Sequence, residues 1–149
     1  MATTKSDQAG SVKRGIASRK SIALVIEPEI GIRRTLVECL RALNLITIPA
    51  PDIETAIVAC EAVPVDVMLI HGVDDPALKA VAACRRLRPV LHVGLIRGST
   101  TLSDDDTLRT LGIDAVVQWP LDLREMDRLT SALLRGSVYE RQTEPSGRS

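Results

Sequence analysis

Five short apolar runs, each ending at a polar residue or a proline, constrain the fold of this chain more than any other sequence feature. The first run, Ile22 to Ile26, stops at Glu27 and Pro28, and a helical pattern starts immediately after it. Four more runs follow, at about 45–48, 65–70, 91–96 and 115–117. Short apolar runs without polar alternation are typical of strands buried on both faces. The pattern therefore predicts strands at the centre of a layered domain.

Between these runs, apolar residues recur at spacings of three and four, which is typical of helices with one buried face. The predicted helices cover residues 29–43, 53–62, 76–87, 104–111 and 123–135. Strands that alternate with helices indicate a parallel sheet covered on both sides. We therefore expect an α/β sandwich of (βα)5 type, with the flavodoxin-like strand order 2-1-3-4-5.

Turn and cap residues separate these elements. Pro49 and Pro51 are expected to end the second strand, and Asp52 to cap the helix that follows. The pairs Ser103 with Asp106 and Asp122 with Glu125 have the spacing of capping boxes, so they predict the starts of the last two helices.

The composition narrows the classes of function. The formal net charge is zero, which gives no electrostatic reason to expect binding to nucleic acid or to a membrane. No apolar run approaches the length of a membrane helix, and no signal peptide is visible, so we expect a cytoplasmic protein. Cys39, Cys60 and Cys84 lie in three different helical patterns and are expected to be reduced thiols. The sequence predicts neither a metal nor a cofactor.

The chain length of 149 residues suits one domain. We expect a disordered basic tail at 1–20, a folded domain at 21–136 and a flexible tail at 137–149. Three arginines near the end of the third helix are expected to form a solvated helix end rather than a nucleic-acid patch: Arg85, Arg86 and Arg88.

Four segments, in this order and spacing, resemble the receiver domain of response regulators, the CheY-like family. Glu27-Pro28-Glu29 lies where receivers place an acidic pair. The segment 64–70, PVDVMLI, resembles the third receiver strand, PDLILLD. The segment 111–115, LGIDA, resembles the receiver turn AGADDY, and 119–122, WPLD, resembles KPF before the last helix. The resemblance covers about residues 21–135.

The resemblance implies phosphoryl transfer from a histidine kinase to an aspartate, assisted by magnesium, but most of the residues for it are absent. Glu27 keeps one carboxylate of the acidic pair, and Pro28 replaces the other. His71 stands at the position of the phosphoacceptor aspartate, Arg97 at that of the Thr or Ser, and Trp119 at that of the lysine. Because Mg²⁺ needs hard oxygen ligands, we expect a pseudo-receiver that cannot be phosphorylated.

The carboxyl ends of the predicted strands bring these residues together in one crevice, which lacks most of the receiver residues. The roles of several of its side chains stay open. Glu27 and Arg97 are expected to form an ion pair, or else both point to water. His71 could be a ligand, a pH-sensitive switch or a hydrogen-bonded loop residue. Trp119 is expected to cover the crevice as a lid, or else to anchor a partner. By the resemblance, the peptide bond between Trp119 and Pro120 is expected to be cis.

The expected function is a non-enzymatic signalling adaptor in or beside a two-component phosphorelay. Its partner would be a kinase, a phosphotransfer or output protein, or a second copy of the chain. By the resemblance, the partner would bind a face that contains Leu108, Arg109, Arg124 and Arg128. Two alternatives remain: a sensor that binds a small anionic ligand through Arg97, and an atypical receiver that a histidine kinase phosphorylates.

Overall fold

The computed structural model describes residues 19–72, 75–97, 105–110 and 112–135. In these ranges, strands and helices alternate. The strands are β1 (Ile22–Ile26), β2 (Ile46–Ala50), β3 (Val67–His71), β4 (His92–Arg97) and β5 (Ala115–Gln118). The helices are α1 (Ile30–Ala42), α2 (Ile53–Ala62), α3 (Asp75–Leu87), α4 (Asp105–Thr110) and α5 (Leu123–Leu134). All ten predicted elements are confirmed, with ends that shift by at most two residues.

The five strands form one parallel sheet with the order β2-β1-β3-β4-β5. The predicted fold class and strand order are therefore confirmed. The register pairs Ile26 of β1 with Ile70 of β3. The next residues along these two strands, Glu27 and His71, consequently lie side by side at the carboxyl edge of the sheet.

The prediction that Pro49 ends the second strand is wrong, because Pro49 lies inside β2. Among the described strands, β2 lies at the edge of the sheet and pairs only with β1. The amide of Ile46 donates to the carbonyl of Ser21, and the carbonyl of Ala50 accepts from the amide of Glu27. Alternate residues of β2 therefore face β1, and the nitrogen of Pro49 points away from it. A proline at such a position removes no hydrogen bond from the sheet.

An aliphatic core fills both faces of the sheet. Helices α2, α3 and α4 cover one face, and helices α1 and α5 cover the other. The fully buried side chains that dominate this core are Leu24, Leu36, Leu40, Met68, Leu69, Ile70, Leu91, Leu95, Ile96, Leu108, Met126 and Leu129. Burial of each such side chain contributes roughly 1.5–3 kcal/mol. Among the described helices, none is long and apolar enough to cross a membrane.

Side-chain caps fix the starts of two helices as the sequence predicts. The carboxylate of Asp52 accepts from the amide of Thr55 at 2.8 Å. Hydrogen bonding from the side chain of Thr55, and then from its backbone, lowers the pKa of Asp52. At the start of α5, Asp122 and Glu125 form a complete capping box. Each cap satisfies helix amides that have no partner within the helix.

Some predictions fall largely or wholly on residues outside the described ranges. These are the capping pair Ser103 and Asp106, of which only the backbone of Asp106 is described, the tail at 137–149 and most of the tail at 1–20. Of the predicted basic tail, Arg19 is described, and its guanidinium forms an exposed ion pair with Asp66 at 3.0 Å.

Arg85, expected to be solvated, instead joins three segments at the amino edge of the sheet. Its guanidinium donates to the carbonyls of Leu91 and Gly112 and to the carboxylate of Asp114, the last two at 2.7 Å. Asp114 also accepts from the amide of Val93 at 2.8 Å. The expectation for Arg85 is wrong because the turn before β5 brings a carboxylate and a free carbonyl within its reach.

This network predicts unequal costs for alanine at two glycines with the same backbone conformation. Gly72 and Gly112 both have φ of +91°, which strains any other residue. Among the described residues, a Cβ at Gly72 meets no atom within 4 Å, whereas one at Gly112 collides with the guanidinium of Arg85. We expect Gly72→Ala to cost about 1 kcal/mol and Gly112→Ala clearly more, in urea unfolding.

The variant Arg85→Ala serves as the control. In that background, the extra cost of Gly112→Ala over Gly72→Ala should shrink, because the colliding group is gone. Equal costs for the two glycine variants in the wild-type background would contradict the interpretation that hydrogen bonds hold the guanidinium of Arg85 in place.

Candidate functional site

The carboxyl ends of the strands gather the predicted crevice residues at one edge of the sheet. Glu27 and Pro28 follow β1, His71 ends β3, Arg97 ends β4, and Trp119 follows β5. In open parallel sheets, ligands and chemistry are found at this edge, where the strand order reverses. Here that reversal lies between β1 and β3, where Glu27 and His71 lie.

A buried acid–histidine pair forms the centre of the site. Oε1 of Glu27 lies 2.9 Å from Nδ1 of His71. Oε2 of Glu27 accepts from the amide of Glu29 at 2.8 Å. The side chain of Glu27 is 4% exposed and that of His71 is 22% exposed. A carboxylate with so little solvent needs such partners, since burial without them is costly.

The partner of Glu27 is therefore His71 and not Arg97, so the expected ion pair is a wrong prediction. Within the described ranges, no salt bridge joins Glu27 to Arg97. Strand β3 lies between β1 and β4, so its last residue is the nearer neighbour of Glu27. The predicted strand order already contained this signal, because it places β3 beside β1.

The ring of Trp119 lies against the ring of His71. The two ring centroids are 5.7 Å apart, and the planes are tilted by 55°. Trp119 also packs on the core face beneath α1 and α5, and its amide donates to the carbonyl of Arg97 at 2.8 Å. The peptide bond between Trp119 and Pro120 is cis, as expected from the resemblance. Trp119 therefore lies beside the acid–histidine pair and contacts its imidazole, and whether it acts as a lid or as a partner anchor stays a prediction.

Side-chain hydrogen bonds from Glu29 and Arg33 hold the loop between β1 and α1 in place. Glu29 caps α1 by accepting from the amide of Ile32 at 2.8 Å. The guanidinium of Arg33 reaches back to the carbonyl of Glu27 at 2.8 Å and that of Pro28 at 3.1 Å. These contacts hold the backbone around Glu27 in place. Across the described part of the chain, no group of three His, Cys, Asp or Glu residues could hold a metal ion.

An apolar cleft of about 250 Å³ opens beside His71. Its walls come from the loops that follow β1, β2 and β3. The lining residues are Ile26, Pro28, Pro51, Asp52, Ile53, His71, Pro76 and Ala77. The cleft therefore combines proline and aliphatic walls with one imidazole and one carboxylate.

The predicted partner face is only partly on the surface. Leu108 is 1% exposed and belongs to the core, so its assignment to a partner face is wrong. On the short helix α4, its side chain packs into the core on the face of the sheet that α2 and α3 also cover. Arg109 is exposed, and so are Arg124 and Arg128 on α5. Helices α4 and α5 flank the edge strand β5 from opposite faces of the sheet.

Comparisons with known proteins support the fold. No protein-family model matches the sequence, and no curated protein matches it. Solved structures do match. A pilus assembly-related protein from Burkholderia pseudomallei is 19% identical, with a TM-score of 0.64 over 78% of this chain and 91% of that chain. The chemotaxis response regulator CheY4 of Vibrio cholerae is 14% identical, with a TM-score of 0.68 over 78% of this chain and 100% of that chain.

A third similar structure is much longer. NtrX from Brucella abortus, solved in complex with ADP, is 18% identical with a TM-score of 0.72. The match covers 88% of this chain but only 31% of that chain. Further neighbours include receiver domain proteins from Methanospirillum hungatei and Clostridium thermocellum. The chain thus has the CheY-like receiver fold.

The acid–histidine pair predicts coupled effects on stability. His71→Ala leaves the buried carboxylate of Glu27 without its side-chain partner, and we expect it to lower the free energy of unfolding by about 2 kcal/mol. Glu27→Gln combined with His71→Ala should cost clearly less than the sum of the two single variants. A double-mutant cycle in urea measures this coupling. Strictly additive costs would show that the contact contributes nothing.

Proposed function

We propose that this chain is a pseudo-receiver: a receiver-like signalling module that is not phosphorylated and that acts, without catalysis, by binding protein partners. The fold supports a signalling role. The observation that carries the rest of the proposal is the contact between Glu27 and His71. The one carboxylate that remains at the end of β1 is already engaged by a histidine of the same chain.

The chemistry of the crevice favours this proposal over an active receiver. Magnesium prefers several oxygen ligands in near-octahedral geometry, and it would compete with His71 for the single carboxylate of Glu27. Pro28 offers no ligand. At the end of β3, where receivers carry the acceptor aspartate, this chain has an imidazole. Trp119 provides no positive charge that could hold a phosphoryl group.

A module without a phosphorylation cycle has to transmit its signal through binding. The side of the molecule around β5 suits this role, because it presents the exposed cations Arg109, Arg124 and Arg128. Positive charge favours a partner with an acidic surface and speeds its association. We propose a kinase, a phosphotransfer protein or an output protein of a two-component pathway as the partner, or a second copy of the chain.

A second candidate function is a small-molecule sensor, which the cleft beside His71 favours. Its volume of about 250 Å³ is below the usual range for drug-sized ligands, so the ligand would be small. The hydrogen bond from Thr55 lowers the pKa of Asp52, which therefore stays ionised at neutral pH on the cleft wall. That negative charge favours a neutral or cationic ligand over the anionic ligand expected from the sequence. A thermal-shift screen tests this candidate, since a bound ligand raises the Tm.

The proposal predicts no phosphorylation in vitro. After incubation with acetyl phosphate and Mg²⁺, the intact mass of the protein should remain unchanged. A conventional receiver domain in the same reaction is the control for active reagent. A stable added phosphate would overturn the proposal and favour the atypical receiver, and the site would then be located by comparing wild type with His71→Gln and Glu27→Gln.

The proposed binding side predicts a charge-dependent partner interaction. Immobilised protein should retain a partner from a lysate of the native organism, and Arg124→Glu/Arg128→Glu should lose most of it. Arg34→Glu/Arg86→Glu is the matched control, because it makes the same change of charge at exposed residues of α1 and α3. Equal retention by both double variants would place the partner elsewhere on the molecule.

A further inference from the structure

A groove rich in arginine lies between helix α1 and the edge strand β2. Its volume is about 220 Å³. Three of its lining residues are arginines and three are apolar, and no acidic residue of the described chain lines it. The lining residues are Ile30, Arg33, Arg34, Val37, Arg41 and Pro49. The groove shares no lining residue with the cleft beside His71, so it is a separate site.

The helical period explains why the arginines lie together. Arg34, Val37 and Arg41 follow one another at intervals of three and four residues, which places them on one face of α1. Ile30 and Arg33 precede them on the same side of the helix. Val37 is buried against the core, whereas Arg34 and Arg41 are exposed on either side of it along the helix. This face therefore presents cations around an apolar centre.

Backbone carbonyls hold two of the three guanidinium groups in position. Nη1 of Arg33 donates to the carbonyls of Glu27 and Pro28 at 2.8 and 3.1 Å. Nη2 of Arg41 donates to the carbonyl of Thr47 in β2 at 3.3 Å. These hydrogen bonds use one nitrogen of each guanidinium, and a guanidinium has five N–H donors. Donors that are held before binding lose less entropy when a ligand arrives.

No carboxylate of the described chain neutralises these charges. Among the described residues, no salt bridge includes any of the three arginines of the groove. Glu38 lies on the same helix between Arg34 and Arg41, and it forms no salt bridge with either of them. Three cations around one groove repel each other, and a bound anion replaces this repulsion with attraction.

We propose that the groove between α1 and β2 binds a small molecule that carries a diphosphate group. A guanidinium donates two parallel hydrogen bonds to phosphate oxygens, so three guanidinium groups match an anion with several charges. A single carboxylate carries too little charge to engage all three. The apolar side chains of Ile30, Val37 and Pro49 contact the uncharged part of the molecule. The volume of the groove is below the usual range for drug-sized ligands, which restricts the ligand to a small one.

The test uses the whole chain, with inorganic pyrophosphate as the probe. Isothermal titration calorimetry at constant ionic strength, without divalent cations, gives the Kd of pyrophosphate, inorganic phosphate and citrate. Pyrophosphate should bind at least about tenfold more tightly than phosphate, because its second phosphoryl group engages further N–H donors. Citrate has several charges but no phosphoryl group. Absence of pyrophosphate binding, or equal Kd values for pyrophosphate and citrate, would overturn the proposal.

Two double variants test whether the groove is the site. Arg34→Gln/Arg41→Gln removes two of its cations and should raise the Kd of pyrophosphate at least about tenfold. Lys79→Gln/Arg86→Gln is the matched control, because it removes two exposed cations at the same spacing of seven residues on α3, which covers the other face of the sheet. Its Kd should equal that of the wild-type protein. Equal effects of the two double variants would show attraction to overall charge and contradict the proposal.

The wild-type protein also locates the site without any substitution. In two-dimensional ¹H–¹⁵N NMR spectra, pyrophosphate should shift the amide signals of α1 and β2 most. The largest shifts on α5 or at the crevice would overturn the proposal, even if a variant does not fold. The inference does not rest on the proposed partner side, because β2 and β5 form opposite edges of the described sheet. Arg34→Glu/Arg86→Glu should therefore bind pyrophosphate weakly and still retain the partner, so the two proposals fail separately.

Discussion

The carboxylate of Glu27 needs a partner inside the protein, and the arrangement of the crevice depends on how that need is met. Glu27 follows strand β1, which lies between β2 and β3, and its side chain is almost completely buried. Receivers, by the resemblance, give such a carboxylate a metal ion. Here His71 supplies one hydrogen bond and the amide of Glu29 supplies the other. Because both partners belong to the chain, the pair is complete without a ligand, and Trp119 can pack directly on it.

The sequence predicts the layered fold because the aliphatic runs leave few alternatives. Strands that are apolar on both faces have to be covered by helices on both sides, and right-handed crossovers then restrict the strand order. The course of β2 could not be predicted as well. Whether Pro49 ends a strand depends on which edge its nitrogen faces, and that depends on pairing with β1 rather than on the residues near it.

The crevice positions could be predicted from strand ends, but the contacts between them were predicted less well. Arg97 is the expected partner for Glu27 because both residues lie at strand ends in the crevice, whereas the strand order places β3 between them, so that His71 is nearer. The other wrong predictions concern side chains that were expected at the surface and are wholly or partly buried in the structure. Leu108 had to fill the core because α4 is too short to provide many alternatives. Arg85 and Arg88 lie at a helix end, which usually indicates solvation, yet Arg85 bonds to the turn before β5 and Nε of Arg88 is buried.

A carboxylate partner that belongs to the chain also differs in its consequences from a ligand that comes and goes. A ligand shifts a conformational equilibrium only if it binds two states with different affinity. A metal or phosphoryl group that comes and goes can do this, whereas a histidine of the same chain is present in every state. The contact between Glu27 and His71 is therefore a fixed feature of the crevice, and it cannot act as a switch in the way that a bound ligand does.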